Sequence, residues 1–346
     1  MACIIKAPDK TRGIISFTTP ENREVITPGV KKYLGANRSD WIYLLHHNWT
    51  PYHHDNFFDS SLCNDMDLQG GGDCLNMDCC NFSPSIYCPS DEKAIDVLYI
   101  TRCVTFKRLN VFYNTCKDLL SKNPNIKILL ICSVPKVNSD PPNPKQIYLD
   151  RFSSEERKNF LAFFFDYDYP FSMDKYYLAH FYRSSKVFIH TANNERYPRV
   201  CSYAWASGIP VVGYSPLATF LPGKFRKPPY FYQVNSDREY ADKVLQAIDA
   251  PMPYDQIKYE VSETHSIKTF SNKLTSLSSA TGKPINTDNI FRKNLDFRMG
   301  RHCVISLGTN SLPIKIPDLM ERAKRIGPKI EKDNPNIELE LINHEE

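Results

Sequence analysis

Two cations and one carboxylate stand out by their setting along the chain. Arg102 closes a short, largely apolar run, Asp96-Val-Leu-Tyr-Ile-Thr101, and Lys107 follows five residues later. Cations at the end of a strand suit a negatively charged group, and each charge-assisted hydrogen bond contributes about 1.5–3 kcal/mol. Taken singly, Arg102 and Lys107 read first as ordinary solvated surface charges. Glu195 lies in a loop after a second apolar run, 186–190, and just ahead of a helix opening near Pro198. Proline suits a first helical turn, where its missing N–H leaves nothing unpaired. The N–H groups of that turn, near Arg199 and Val200, favour an anion together with the helix dipole. Glu195 beside them is placed to accept hydrogen bonds from hydroxyl groups. A carboxylate ahead of a helix is also stabilising by itself.

A second cluster lies nearer the start: His46, His47, His53, His54 and Asp55, followed by Cys63, Cys74, Cys79, Cys80 and Cys88. Histidine and cysteine are zinc ligands, but paired C-x2-C modules are missing. Cys74-x4-Cys79 comes nearest, and the adjacent Cys79 and Cys80 do not easily reach one ion together. The expectation is no metal, with metal binding through residues 46–88 kept as an alternative.

These residues need elements to hold them. From residue 96 the pattern alternates strand and helix. A run at 96–101 is β-like; 109–122 has apolar residues at 109, 112, 113, 116, 119 and 120, one helical face. Asn123-Pro124-Asn125 stops that helix, and 126–133 follows as a strand covered on both faces. Residues 135–144 form a Pro-rich loop. Ser-Ser-Glu-Glu at the start of 153–164 is a capping signature and predicts a helix there. Helices are predicted at 173–184, at 199–207 (ended by Gly208) and at 237–249, the last opened by a Ser236/Glu239 capping box. Strands are predicted at 186–190, 209–213 and 230–234. A parallel α/β layer with helices on both faces is the architecture this order implies.

The flanks differ. Before residue 92 there are two predicted strands, 13–19 and 41–47, a short helix at 25–34 and a long irregular stretch at 48–91. After 300 come a strand at 302–307, a helix at 317–331 and a strand at 337–342. Each end alone has too few elements to bury a core, so the two ends are expected to meet in one smaller α/β domain.

Composition narrows the field. A length of 346 residues suits two domains at roughly 150 residues each. With 42% hydrophobic and 24% charged residues the chain is globular in type. A net charge of +4 without long basic runs argues against nucleic acid and suits a phosphorylated ligand. Neither a G-x-G-x-x-G nor a P-loop pattern occurs. No apolar run approaches the ~18 residues a membrane helix needs. Residues 1–12 carry no signal-peptide core, and the eleven cysteines are an odd count, so reduced thiols and a cytoplasmic location are expected.

The stretch Glu195-Arg196-Tyr197-Pro198-Arg199-Val200 through Tyr203-Ala204-Trp205-Ala206-Ser207-Gly208-Ile209-Pro210-Val211-Val212 resembles the donor-binding element of GT-B glycosyltransferases of the large retaining family 4 group. The family pattern is roughly E-G-F-P-x-V-x-x-E-A-M-A-x-G-x-P-V-V. Glu195, Pro198, Val200, Ala204, Ala206, Gly208, Pro210, Val211 and Val212 stand at its spacings. Its second glutamate, which usually holds the nucleotide ribose, is Tyr203 here. The segment from Asp96 to Lys107 resembles the opening of the family's nucleotide-binding domain, whose Arg and Lys hold the donor diphosphate. The resemblance covers about residues 92–280.

What it implies is a GT-B-like, Rossmann-type parallel sheet domain that binds a nucleotide sugar, at 92–280. A reduced acceptor-side segment would occupy 1–91, and an α/β extension at 281–346 would pack with it. The implied activity is transfer of a sugar from a UDP- or GDP-linked donor to a hydroxyl of a glycan, lipid or protein, with retention and no required cofactor. Arg102, Lys107 and Glu195 are the catalytic candidates. Ser133, Arg196, Tyr197, Arg199, Val200 and Tyr203 join them in donor binding, with His47 as an acceptor-side guess. Two alternatives stay open: a non-catalytic binding module of the same fold, and the metal-binding reading of 46–88.

Overall fold

In the computed structural model of the chain, the described residues are 86–134, 143–166, 175–193, 198–218 and 221–262 (without 222 and 251). In the remainder they are 2–6, 12–17, 39–45 and isolated positions, mostly within 32–37 and 317–325. The chain divides into two compact units: residues 84–262, and residues 1–83 together with 263–346.

The larger unit is built on six strands: β4 (Ile95–Arg102), β5 (Ile128–Val134), β6 (Phe160–Asp166), β7 (Ser185–His190), β8 (Val211–Tyr214) and β9 (Phe231–Val234). They lie side by side in the order β6-β5-β4-β7-β8-β9, and every neighbouring pair is parallel. The chain therefore runs outward from β4 through β5 to β6. It then returns to the other flank of β4 and runs outward again. The reversal falls between β4 and β7. Helices make the crossovers: α1 (Leu109–Lys122), α2 (Pro144–Arg151), α3 (Lys175–Arg183), α4 (Arg199–Ala206) and the single turn α5 (Ser215–Ala218); α6 (Tyr240–Asp249) follows the last strand.

Strand alternation sorts the core into two faces. Val97 and Tyr99 of β4, with Val187 and Ile189 of β7, belong to the cluster filled by Phe112 and Cys116 of α1 and Val244 of α6. The alternate face meets α3 and α4, with Tyr182 of α3 against Phe188 of β7 at 5.4 Å between ring centroids. The predicted α1 matches the observed helix end to end, because its apolar stripe is regular and Asn123 stops it.

Two expectations are corrected. Residues 153–164 were expected as a helix; the capping box does close, with Glu156 accepting from the Ser153 N–H at 2.8 Å and Ser153 Oγ accepting from the Glu156 N–H at 3.3 Å. It caps only a short 3-10 turn, Glu156–Lys158, and the aromatic run after it is strand β6. Aromatic side chains favour a pleated, covered surface. Pro144 was assigned to a loop but is the first residue of α2, whose N-cap Asn143 accepts from the N–H groups of Lys145 and Gln146.

The smaller unit carries a three-stranded sheet, β1 (Ala2–Lys6), β2 (Gly13–Phe17) and β3 (Trp41–Leu45). β2 pairs antiparallel with β1 and parallel with β3. Gly13 is obligatory, since a Cβ there would come within 2.8 Å of Pro8 and Trp41. Both chain ends contribute to this unit. Lys324 pairs with Asp40 at 3.1 Å, Tyr33 hydrogen-bonds Glu321, and Met320 and Ala323 are fully buried. The strands expected at 302–307 and 337–342 lie outside the described residues, as does most of the helix expected at 25–34. No helix among the described residues is long and apolar enough to cross a membrane.

Candidate functional site

In doubly wound parallel sheets, ligands sit in the crevice outside the carboxyl ends of the strands, where the strand order reverses. Here that point is flanked by the ends of β4 and β7. The sequence puts its chemistry at both. Arg102 is the last residue of β4 and is exposed. The motif 195–200 spans the end of the segment after His190, which closes β7, and the first turn of α4.

The loop after β4 is tightly organised. Val104 N–H donates to the Arg102 carbonyl at 2.9 Å, and a short 3-10 turn, Thr105–Lys107, leads into α1. Lys107 is half-buried, its Nζ 5.4 Å from the Phe106 ring centroid. Its carbonyl points inward and accepts from Tyr99 Oη at 2.7 Å and Thr191 Oγ1 at 2.6 Å. Tyr99 belongs to β4 and Thr191 directly follows β7, so both strands at the reversal hold the peptide that carries Lys107. The Asn193 N–H donates to the Phe106 carbonyl at 3.3 Å, a second tie between the two loops. His190 is buried, and its carbonyl accepts from Tyr240 Oη of α6 at 3.0 Å. Burial raises the Tyr240 hydroxyl pKa well above its usual range, so it stays a neutral donor.

Ser133 stands directly opposite Arg102 in the β4–β5 register, and its carbonyl accepts from Cys103 N–H at 2.8 Å. The neighbouring Cys103 and Cys132 thiols interact, which lowers the pKa of Cys103 and, with burial, raises that of Cys132. Cys88, Cys103, Cys116, Cys132 and Cys201 are thiols, not disulfides.

On the β7 side, Pro198 is the N-cap of α4 with extended backbone, one position ahead of the expected start, and Arg199 and Val200 open the helix. Val200 is half-buried. Glu195, Arg196 and Tyr197 lie outside the described residues, as do the side chain of Arg199 and the whole of His47. Tyr203, where the family resemblance carries a carboxylate, is stacked on Tyr87 at 4.2 Å and 1° between ring planes. It also meets Tyr182 edge-on at 6.1 Å. Gly208 ends this stretch at φ +74°, where a side chain is strained, and a Cβ there would lie 3.1 Å from Pro89. The segment around Tyr87 and Pro89 thus meets Tyr203 on α4 and Gly208 just past its end.

The structure brings Arg102, Lys107 and Ser133 together at the β4 end and sets Val200 on the β7 side of the reversal. Tyr99 and Thr191 are residues the sequence reading missed; the one available signal was a tyrosine inside an apolar strand. Among the described residues no group of three or more His, Cys, Asp or Glu side chains is placed to hold a metal. Of the histidine and cysteine cluster at 46–88, residues 46–85 lie outside the described residues. Among the described residues the site offers cations, backbone amides and hydroxyls, which suit an anionic ligand bearing hydroxyl groups.

No family model matches the chain, and no curated protein matches it. Solved structures do. The C-terminal domain of a glycosyl transferase group 1 family protein (LpcC) from Francisella tularensis is 14% identical, with 58% of this chain and 98% of that one covered, at a TM-score of 0.39. TarM from S. aureus, a point mutant in complex with Fondaparinux, alpha-GlcNAc-glycerol and UDP, is 13% identical, with 70% and 51% covered and a TM-score of 0.45. The pneumococcal O-GlcNAc transferase GtfA, in complex with UDP and GlcNAc, is 10% identical, with 72% and 55% covered and a TM-score of 0.45. The chain spans about half the length of the latter two.

Proposed function

We propose that the chain is a glycosyltransferase that binds a nucleoside diphosphate sugar at the carboxyl ends of β4 and β7 and passes the sugar to a hydroxyl acceptor with retention of configuration. One observation carries this reading: Arg102 and Lys107 share the β4 end at the reversal of the strand order, on the side where the segment after β7 leads into the first turn of α4. When the C1–O bond to the β-phosphate breaks and the bond to the acceptor oxygen forms, negative charge gathers on the departing diphosphate. Arg102 and Lys107 are the groups that stabilise it, and the scheme requires no metal. The Arg199 and Val200 amides add donors for phosphate or sugar, and Glu195, with Arg196 and Tyr197 beside it, takes the sugar hydroxyls. Ser133 lines the nucleoside side next to Arg102. The unit 84–262 is the donor side in this proposal. The unit of both chain ends is the acceptor side, to which His47 belongs. The five thiols among the described residues are in keeping with a cytoplasmic location.

Tyr203 favours a second reading, a binding module without turnover. Its ring is committed to Tyr87 and Tyr182, where the resemblance calls for a ribose-holding carboxylate. A thermal-shift screen of UDP, GDP and ADP, followed by turnover assays with UDP- and GDP-sugars, decides between them. Ligands that bind the folded form raise its melting temperature. The proposal expects a shift with UDP or GDP and release of the diphosphate from one of the sugar donors. A shift without turnover for any donor and acceptor supports the binding module. No shift with any nucleotide contradicts both.

A further inference from the structure

Arg108 is the one non-glycine residue with positive φ among the described residues, at φ 52° and ψ 49°. A long side chain adopts the left-handed region at a cost, and such a residue persists only where its surroundings hold it. The surroundings are clear. Arg108 Nη2 pairs with the carboxylate of Asp237, in the turn that leads into α6, and its guanidinium lies 5.5 Å from the ring centroid of Tyr214 at the end of β8. Its own N–H donates to the Thr105 carbonyl at 3.0 Å, and its carbonyl accepts from Val111 N–H at 2.9 Å. The arginine side chain is largely covered, at 18% exposure, while Asp237 remains at 46%.

This residue directly follows Lys107, whose carbonyl is held from the other side by Tyr99 and Thr191. Two consecutive residues of the loop are therefore locked to different parts of the fold. Lys107 is locked to the strands at the reversal, and Arg108 to the β8 end and the start of α6.

We infer that Arg108, through its ion pair with Asp237, is a positioning residue that fixes the loop presenting Lys107 to the diphosphate of the donor. The inference rests on the proposed nucleotide-binding function. Arg108 does not touch the diphosphate in this arrangement; its charge is taken up by Asp237. The left-handed turn at Arg108 is what lets the 3-10 turn end and α1 begin with the Lys107 carbonyl turned inward. The pair with Asp237 is what keeps that turn.

Charge alone makes the opposite forecast, which gives the test its edge. Removing a carboxylate near an anion site should tighten anion binding if Asp237 acted only through its field. A positioning role predicts weaker binding. The experiment is calorimetric titration of the full chain with UDP and GDP, for the wild type, Asp237→Asn, Arg108→Gly and Arg108→Lys, with melting temperatures alongside. Asp237→Asn and Arg108→Gly should each weaken binding about three- to fivefold, the scale of a partly exposed ion pair. Arg108→Gly should do so without lowering the melting temperature, because glycine adopts positive φ freely. Arg108→Lys keeps a cation on Asp237 and should stay within about twofold of the wild type. Binding by Asp237→Asn that equals or exceeds the wild type overturns the inference alone. So does a loss in Arg108→Lys as large as in Arg108→Gly, since the nucleotide would then be feeling the guanidinium itself. A wild type that binds neither nucleotide overturns the functional reading, and this inference with it.

Discussion

Thr191 Oγ1 lies 2.6 Å from the carbonyl oxygen of Lys107 and 2.7 Å from Tyr99 Oη, and Thr191 is fully buried. A residue just past β7 thereby holds the loop that follows β4, across the point where the strand order reverses. Replacing it with valine keeps the shape and removes the hydroxyl. Thr191→Val should lower stability by about 1 kcal/mol, the net worth of a hydrogen bond. Urea denaturation of the variant beside the wild type measures the difference; equal stabilities would show that the hydroxyl contributes nothing.

Arg102 and Lys107 should separate function from fold. Arg102 is exposed and Lys107 half-buried at the crevice, so truncating either leaves the core intact. Arg102→Ala and Lys107→Ala should each weaken UDP or GDP binding by about tenfold or more, the loss of one charge-assisted contact. Both should melt within a few degrees of the wild type. Calorimetry beside thermal melts checks this, and unchanged affinity in both variants contradicts the site assignment.

The Glu156–Lys117 pair gives a pH signature. Lys117 Nζ donates to both carboxylate oxygens of Glu156, at 2.7 and 2.8 Å. The hydrogen bond from Lys117 lowers the Glu156 pKa below its ordinary 4.5, while partial burial opposes the shift. A depressed carboxylate pKa contributes stability that is present above the unfolded value and is lost as pH falls through the folded one. Both side chains are about a third exposed, so the pair is worth only about 0.5–1 kcal/mol. The wild type should exceed Glu156→Gln by that amount at pH 7, and the gap should close as pH falls from the unfolded 4.5 through the lower folded value. A gap independent of pH would assign the effect to something other than the carboxylate's charge.

Gly208 is a sharper structural test. Its φ of +74° and the 3.1 Å approach of Pro89 to a built Cβ both oppose a side chain. Gly208→Ala should cost about 1–2 kcal/mol in a denaturant titration. A neutral result would show that the stretch from α4 to β8 relaxes without that turn.

Much of this was legible in the sequence where periodicity and stop signals agreed. The Leu109–Lys122 helix and the apolar strands β5 and β7 are cases where each local signal points to the same element. The misreading at 153–164 arose because a genuine capping box, Ser153 with Glu156, caps one turn only, and the aromatic run after it belongs to the sheet. The helix at Pro144–Arg151 was hidden by proline, which is a helix starter when Asn precedes it as cap. That Arg102 ends a strand and that Lys107 follows in the next turn was legible because apolar run and spacing coincide. Their supports were not. Arg108 and Asp237 are 129 positions apart, and Tyr99 and Thr191 are 92 apart, pairs that only the closed sheet brings together.

The most direct test of the central claim is a crystal structure of the protein with UDP or GDP bound at saturating concentration. The account predicts the diphosphate at the carboxyl ends of β4 and β7, within hydrogen-bonding distance of Arg102 and Lys107 and facing the first turn of α4. A nucleotide seated anywhere else, or that crevice filled by the chain's own side chains, would contradict it.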